Sequence, residues 1–480
     1  MIERACYLPG LDPSAISWRN LTFARGGDTA LEVAVPLLTE QDINNLVTHV
    51  REQAVTHLRP MSVTQIVEVI DAVIARLLDR QDPYRQRMEQ ALPAITGYDC
   101  EMICRGLTQY LKTFRKPELL RFLAEDFPNP NILDDFQPLT KGGYGKAFGP
   151  PALAHIWAGN VPALPLWSLV CGLLVKSGNI GKISSAEPLF ATLFAKTLAE
   201  VAPELSDCLA VVWWQGGDEA SERAMVQATD LTLAYGGIDS LTAIRSRMPA
   251  GKRLLEFGHK TSFAMIGAAA LDSAKAADTA QRAAFDIARY DQQGCFAPHV
   301  VFVERGGSVS PRRFANYLAG ALTAYGKRYP RRELTLAEAN SVVAWRQQEE
   351  FSNGAEVLSE ALGDWGVSFY DNGGSFGPSC LNRFVRVIAV DDLAMVPSKV
   401  VPYRAMLQTV GIAVPPDDLF KLARLLGEVG VTRIAALGDM TTPEAGWHHD
   451  GRFNLSDLVN IAEIDTRAPL AADKLAFYDD

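Results

Sequence analysis

The chain has 480 residues, 48% of them hydrophobic and 21% charged, with a formal net charge of −10. That length implies two or three domains, and the composition is ordinary for a globular protein with large cores. The acidic balance, without any dense Lys/Arg run, excludes a general nucleic-acid-binding or anionic-membrane surface, because phosphates need a basic patch.

The opening "MIERACYLPGLD" has no basic segment followed by an apolar stretch, so no signal peptide is expected. The longest apolar run, "VPALPLWSLVCGLLV", is about 15 residues, broken by prolines, and falls short of the roughly 20 that span a bilayer. A cytoplasmic protein without a membrane span is expected. The seven cysteines are odd in number and scattered, which suits reduced thiols rather than a disulfide framework. Cys100 and Cys104 lie one turn apart on an expected helix. Two ligands without a matching pair do not make a zinc site, so both read as core cysteines and no metal is expected.

After a short strand-like opening, the first 135 or so residues read mainly as helix. In "SVTQIVEVIDAVIARLLDR", Ser62 and Gln65 fit a capping box. Ile66, Val69, Ile70, Val73, Ile74 and Leu77 form one apolar stripe, and Leu77 and Leu78 are expected to bury in a helical layer. Residues 127–151, rich in Pro, Gly and Asn, read as a linker or a turn-rich hairpin. Beyond them, strands and helices alternate. Strands are expected at Ala152–Trp157, Gly181–Ile183, Leu209–Trp214 and Leu231–Ala234, with helices at Leu164–Val175, Pro188–Val201 and Glu219–Gln227. The pattern resumes with strand Val300–Val303, helix Pro311–Tyr325 and strand Phe384–Val390. Such alternation implies βαβ units and parallel sheets, here in two successive halves with a ligand cleft between them.

Four stretches could carry chemistry. In "HIWAGNVPALP", Asn160 stands between a strand end and a helix start, where its amide can donate into a cleft or simply cap the helix. From that stretch alone, the cap is the better reading. In "NIGKISSAEPLF", Lys182, Ser184 and Ser185 follow a strand and precede a helix. That junction suits a ribose or phosphate, or an ordinary polar turn. In "AYGGID", Gly236 and Gly237 permit close backbone approach to a ligand, or a plain turn.

In "LLEFGHKTSF", Glu256 sits in an apolar strand leading into His259. A carboxylate there suits acid/base work if desolvated, and otherwise a strand-end ion pair. In "YDQQGCFAPHVVFVE", Cys295 sits on a glycine-led turn before a strand. It is either an inert filler or a nucleophile.

Taken in order, these stretches resemble the aldehyde dehydrogenase superfamily. Asn160 with Pro162, Lys182, Gly236-Gly237, the Leu255–Lys260 segment and Cys295 match its succession of motifs. Within it, "AGNVP", "KISSAEP", "LAYGGIDS", "EFGHKTSF", "DQQGCFAP" and "GWHHDGRFNLSDLV" are similar to the LuxC-type acyl-CoA reductases of bacterial bioluminescence, over about residues 145–460. The resemblance implies an α/β fold of the aldehyde dehydrogenase type, with a Rossmann-type cofactor domain, an α/β catalytic domain and a helical N-terminal region. The expected boundaries are 1–140 for the helical region, packing on the cofactor domain, and 141–262 for the dinucleotide-binding domain. Residues 263–440 would be the catalytic domain carrying Cys295, and 441–480 a cleft wall or subunit contact.

The implied reaction is reduction of an acyl thioester to an aldehyde through an acyl-cysteine on Cys295. Asn160 and the Cys295 N–H would hold the oxyanion, Glu256 would act as acid or base, and His259 is a second candidate for that role. Lys182, Ser184, Ser185, Gly236 and Gly237 would bind the cofactor. The oxidising relatives commonly have a ribose-binding glutamate where this chain has Ser185. Serine beside Lys182 tolerates a 2′-phosphate, so NADPH is expected. Glu187 lies close enough to restore some use of NADH. The acyl donor would be acyl-CoA or an acyl group on a carrier. A homo-oligomer and an acyl-activating or acyl-transferring partner enzyme are expected. The alternatives are an aldehyde dehydrogenase making an acid or acyl-CoA, and a catalytically silent acyl-binding subunit. "WHHDGR" reads as a turn at Asp450-Gly451 rather than a metal site, because adjacent side chains point apart.

Overall fold

The computed structural model describes residues 3–24, 30–359 and 363–476. The chain divides into two compact units. The first comprises Met1–Ile95, Leu107–Gly258 and Glu444–Asp480; the second comprises Thr96–Gly106 and His259–Pro443.

The first unit opens on β1 (Glu3–Arg4), β2 (Ser17–Phe23) and β3 (Leu31–Leu37), a small sheet ordered β1-β3-β2. The expected strand-like opening is therefore a sheet of its own. The helices follow along the chain, from Glu40–Gln53 to Lys116–Asp126, with Thr96–Gly106 counted in the second unit. The capping box at Ser62 and Gln65 is formed, and helix Val63–Leu78 buries Ile66, Val67, Ile70, Val73, Ile74 and Leu77. Val67 joins the buried face, while Val69 and Leu78 are only half-buried. Each fully buried aliphatic side chain contributes roughly 1.5–3 kcal/mol, so this stripe anchors the layer. Cys100 is exposed and Cys104 half-buried, so the expectation that both lie in the core is corrected. They sit on the flank of a helix whose apolar face is carried by Met102, Ile103, Leu107 and Leu111.

The Pro/Gly-rich stretch is a hairpin of β4 (Gln137–Pro138) and β5 (Tyr144–Phe148). The late strand Asn460–Ile464 adds antiparallel to β5. Next come β6 (Ala152–Ile156), β7 (Gly178–Lys182), β8 (Leu209–Val212), β9 (Leu231–Tyr235) and β10 (Arg253–Phe257). They form one sheet ordered β10-β9-β6-β7-β8, parallel at every pairing. The chain runs outward from β6 through β7 to β8, then jumps back across β6 to lay down β9 and β10. The strand order therefore reverses between β6 and β9, the kind of place where open α/β sheets bind ligands.

The second unit is built on β11 (Thr261–Ile266), β12 (Pro298–Glu304), β13 (Ala355–Leu358), β14 (Gly366–Tyr370), β15 (Phe384–Val390), β16 (Leu407–Ala413) and β17 (Arg433–Ala436). Its order is β13-β14-β15-β12-β11-β16-β17, antiparallel only at the β13 edge. Apolar clusters cover both faces: Phe314, Leu318 and Ile287 lie on one, Phe263, Phe302 and Ile388 on the other. That explains why β12 and β15 read as continuous apolar runs rather than alternating ones. No described helix is long and apolar enough to cross a membrane.

Candidate active site

Because the five strands of the first unit run parallel, their carboxyl ends share one edge. Register places Ile156 beside both Lys182 and Ala234, Lys182 beside Val212, and Ala234 beside Glu256. The turns carrying Asn160, Lys182 to Ser185 and Gly236-Gly237, and the end of β10 with Glu256, are thus gathered on one edge of one sheet.

Lys182 ends β7 with its ammonium half-buried. Burial lowers its pKa, partly opposed by Glu222, while its carbonyl accepts from the Trp157 N–H at 3.1 Å. The Trp213 indole donates to Ser185 Oγ at 3.0 Å, and the Ala186 N–H donates to Ser184 Oγ at 3.2 Å. Glu187 turns inward. It is buried and accepts from the N–H groups of Leu189 (2.8 Å) and Phe190 (2.9 Å), while burial raises its pKa. Its Oε1 is occupied with the start of helix Phe190–Val201.

Across the reversal point, helix Ile238–Arg247 starts from Gly237 without a side-chain cap. A side chain at Gly236 would meet only Ser240, at 3.4 Å, so backbone lies open there. A desolvated ammonium, an uncapped helix start and open glycine backbone along one edge fit a dinucleotide phosphate.

Strand β10 alternates. Leu255 and Phe257 line a pocket together with Trp167, Cys171, Leu233, Tyr235 and His449. Phe257 stacks on Tyr235 (centroids 4.6 Å apart) and on His449 (4.6 Å), so "WHHDGR" closes over this face. Asp450 and Gly451 both take positive φ, as the expected turn requires, and His448 points away toward Glu125. Leu254 packs into the cluster that contains Leu241 and Ile244, on the opposite face. Glu256 follows Leu254 to that face. Its carboxylate is gripped by the fork of Arg245, with Nε to Oε1 at 3.0 Å and Nη2 to Oε2. The Glu256 side chain is 19% exposed and that of Arg245 71%. This pair was not legible in the sequence, although an arginine in the last turn of the preceding helix was the available signal.

Cys295 lies in the second unit, half-buried, between the helical turn Arg289–Gln292 and β12. Tyr290, Asp291 and Gln292 all have left-handed φ, at 48°, 50° and 66°. Leu381, Asn382 and Arg383 do the same at 61°, 58° and 73°. Left-handed backbone costs L-residues roughly 1–2 kcal/mol each, so both runs need compensation.

The two runs supply it to each other. The Asn382 N–H donates to the Asp291 carbonyl at 3.0 Å, and the Arg383 and Phe384 N–H groups each donate to Gln292 Oε1 at 3.1 Å. Gln292 Nε2 donates to the carbonyls of Pro298 (2.7 Å) and Phe384 (3.1 Å). Asp291 and Arg383, both fully buried, form an ion pair at 2.7 Å. Downstream, Ser262 Oγ donates to the Cys295 carbonyl at 2.8 Å and accepts from the Thr409 N–H at 3.2 Å, tying the loop to β11 and β16. A side chain at Gly294 would strike the Phe296 ring at 2.6 Å, which accounts for the glycine before the cysteine. His259 is exposed in this unit. Buried His299 accepts from the Ser379 N–H at 3.0 Å, and burial lowers its pKa to about 4, helped by nearby His259 and Arg386.

The profile of the family described as "Acyl-CoA reductase (LuxC)" matches residues 58–461. Long-chain acyl-protein thioester reductase 2 of Photobacterium leiognathi is 27% identical over 439 residues, covering 89% of this chain and 87% of that one. The long-chain acyl-protein thioester reductase of Aliivibrio fischeri is 27% identical over 406 residues, covering 83% and 81%. Among solved structures, the aldehyde dehydrogenase KauB from Pseudomonas aeruginosa superposes with a TM-score of 0.73 at 16% identity, covering 97% of this chain and 96% of that one. Aldehyde dehydrogenase 21 from Physcomitrella patens gives 0.72 at 14% identity, covering 97% and 99%. The fold is that of the aldehyde dehydrogenases.

Proposed function

The chain belongs to the LuxC family of acyl-CoA reductases, and from that premise we propose that it reduces an acyl thioester to an aldehyde through an acyl-cysteine on Cys295, with NADPH as reductant. The observation that carries this reading is the Cys295 loop: a partly exposed thiol follows three left-handed residues locked by a buried ion pair and a fully bonded glutamine. Strain held in this way is characteristic of functional sites, and an inert core cysteine has no use for it.

In the proposed sequence, the Cys295 thiolate adds to the thioester carbonyl. Asn160 and the Cys295 N–H receive the oxyanion, the carrier leaves as a thiolate, and an acyl-cysteine remains. Lys182, Ser184, Ser185, Gly236 and Gly237 hold the cofactor, which when bound supplies the hydride that brings the acyl group to the aldehyde level. Cys295 then departs as thiolate and the aldehyde is released. Glu256, with His259 as a second candidate, handles the proton that the leaving carrier takes up.

Ser185 supports NADPH, because no carboxylate opposes a 2′-phosphate at that turn and Glu187 is buried in its cap. The names of the relatives favour a long-chain acyl group held on a protein thioester, with acyl-CoA as the alternative donor. A homo-oligomer and an acyl-transferring partner enzyme belong to the same reading. So does a cytoplasmic setting, which keeps the nucleophile reduced.

The test is absorbance at 340 nm with NADPH and a series of acyl-CoA thioesters, followed by intact-protein mass spectrometry. Aldehyde formation with acyl mass on Cys295 is the expected result. Acid from aldehyde and NADP+ without a thiol acceptor would replace this reading with an oxidising dehydrogenase. Absence of both product and adduct, with acyl-CoA and with acyl-protein donors, would replace it with a silent acyl-binding subunit.

A further inference from the structure

The bonds that lock Asp291 and Gln292 come from the facing run of left-handed residues. Tyr290, which opens the run before Cys295 at φ 48°, is held from another direction. It is buried, and its N–H donates to the thioether sulfur of Met102 at 3.3 Å. Met102 is buried too. It lies 188 positions earlier in the chain, on the Thr96–Gly106 segment, which belongs to the same compact unit as the turn.

The same segment receives the rest of Tyr290. A side chain at Gly106 would fall 1.8 Å from the Tyr290 hydroxyl oxygen, so a glycine is needed where the phenol comes to rest. Met102 and Gly106 are four apart on helix Cys100–Lys112, so one helix face takes up both the N–H and the ring end of this residue. The Tyr98 ring meets the Tyr290 ring at a steep angle with centroids 5.5 Å apart, and the Arg289 guanidinium lies 5.3 Å from the Tyr290 centroid.

The sulfur has the chemical consequence. A thioether is a weak acceptor, but its long unbranched arm reaches a buried N–H without burying a second polar donor. A buried N–H that loses its acceptor is costly. Tyr290 would escape that cost by leaving the left-handed region, and the turn that carries Cys295 would relax with it.

We propose that Met102 is a positioning residue for Cys295: its sulfur caps the first N–H of the left-handed run and so fixes where the thiol meets an acyl carbonyl. The proposal rests on the acyl-cysteine reading above, and Met102 acts through the turn.

The test uses the full chain and two variants. Met102→Leu keeps the volume and removes the acceptor, while Met102→Gln offers a side-chain carbonyl in its place. Three rates are read: acyl mass gained at Cys295 from an acyl-CoA, alkylation of Cys295 by iodoacetamide followed by peptide mapping, and deuterium exchange at the Tyr290 amide. In Met102→Leu, acylation should slow by roughly ten- to a hundredfold, the scale of a misplacement of about an ångström. Alkylation should stay within about twofold, because a small electrophile asks for a thiolate and not for an aligned oxyanion site. Exchange at Tyr290 should quicken by about tenfold or more as the turn opens. Met102→Gln should recover most of the acylation rate. If circular dichroism shows that Met102→Gln does not fold, the split between acylation and alkylation in Met102→Leu decides alone. Unchanged acylation in Met102→Leu, or equal loss of acylation and alkylation, would overturn the proposal. Should wild type gain no acyl mass, the acyl-cysteine reading fails on its own. Exchange at Tyr290 then still decides whether Met102 holds the turn, by quickening in Met102→Leu or failing to.

Discussion

The two units present their chemistry in opposite ways. The five-stranded sheet of the first offers an edge of ordinary strand ends: a half-buried lysine, an exposed serine, open glycine backbone. The turn before Cys295 in the second is built from six left-handed residues in two facing runs, with a fully buried Asp291–Arg383 pair between them. A site that binds a large, flexible ligand through many weak contacts works with relaxed backbone. A nucleophile that must meet one carbonyl carbon within a few tenths of an ångström needs a turn that cannot relax.

The largest test of this contrast is the proposed nucleophile, Cys295. Cys295→Ala should lower thioester reduction by about 10⁴-fold or more, in line with loss of a covalent nucleophile, with NADPH binding by fluorescence retained. An acyl adduct still formed by the alanine variant would show that the strained turn serves something else. The next effect is structural. Asp291→Ala leaves Arg383 buried and unpaired, and removing one partner of such a pair costs about 3–5 kcal/mol. A denaturant titration should read that loss directly, and a midpoint within error of wild type would mean that the two runs hold themselves without the ion pair.

Acid should strain both units together. Burial lowers the pKa of His155 in the first unit, and of His299 in the second, to about 4 from the model-peptide value of 6.5. Between those values the unfolded chain takes up protons that the folded chain refuses. Stability from each histidine is therefore complete above about pH 6.5 and lost as pH falls to 4, up to about 3 kcal/mol per residue. Melting temperatures from pH 7.5 to 4.5 should follow that slope. His155→Gln and His299→Asn, which can keep the hydrogen bonds to Asn179 and from Ser379, should each flatten it. Identical slopes in wild type and variants would remove these histidines from the account.

The smallest effect lies at the relaxed edge. Ser185→Glu should shift the ratio of kcat/KM for NADPH over NADH by about tenfold toward NADH, since a carboxylate opposes the 2′-phosphate. An unchanged ratio would move cofactor selection away from the Lys182 to Ser185 turn.

Local pattern determined much of this protein. Apolar runs, helix caps and Pro/Gly punctuation marked the strands from Ala152 to Phe257 and the helix at Val63–Leu78, because those signals act over a few residues. The order of the motifs around Asn160, Lys182, Glu256 and Cys295 pointed to the family for the same reason: each is a short stretch whose residue types are legible as they stand. What tertiary structure decided was which of these groups have partners. The Arg383 to Asp291 hydrogen bond spans 92 positions of sequence, and no window of composition or period can join its ends. Glu256 is paired because β10 and helix Ile238–Arg247 lie on one face. Glu187 turns inward because the start of helix Phe190–Val201 takes up its Oε1. Residue type sets what a side chain is able to do, and only the packing around it sets whether it is free to do so.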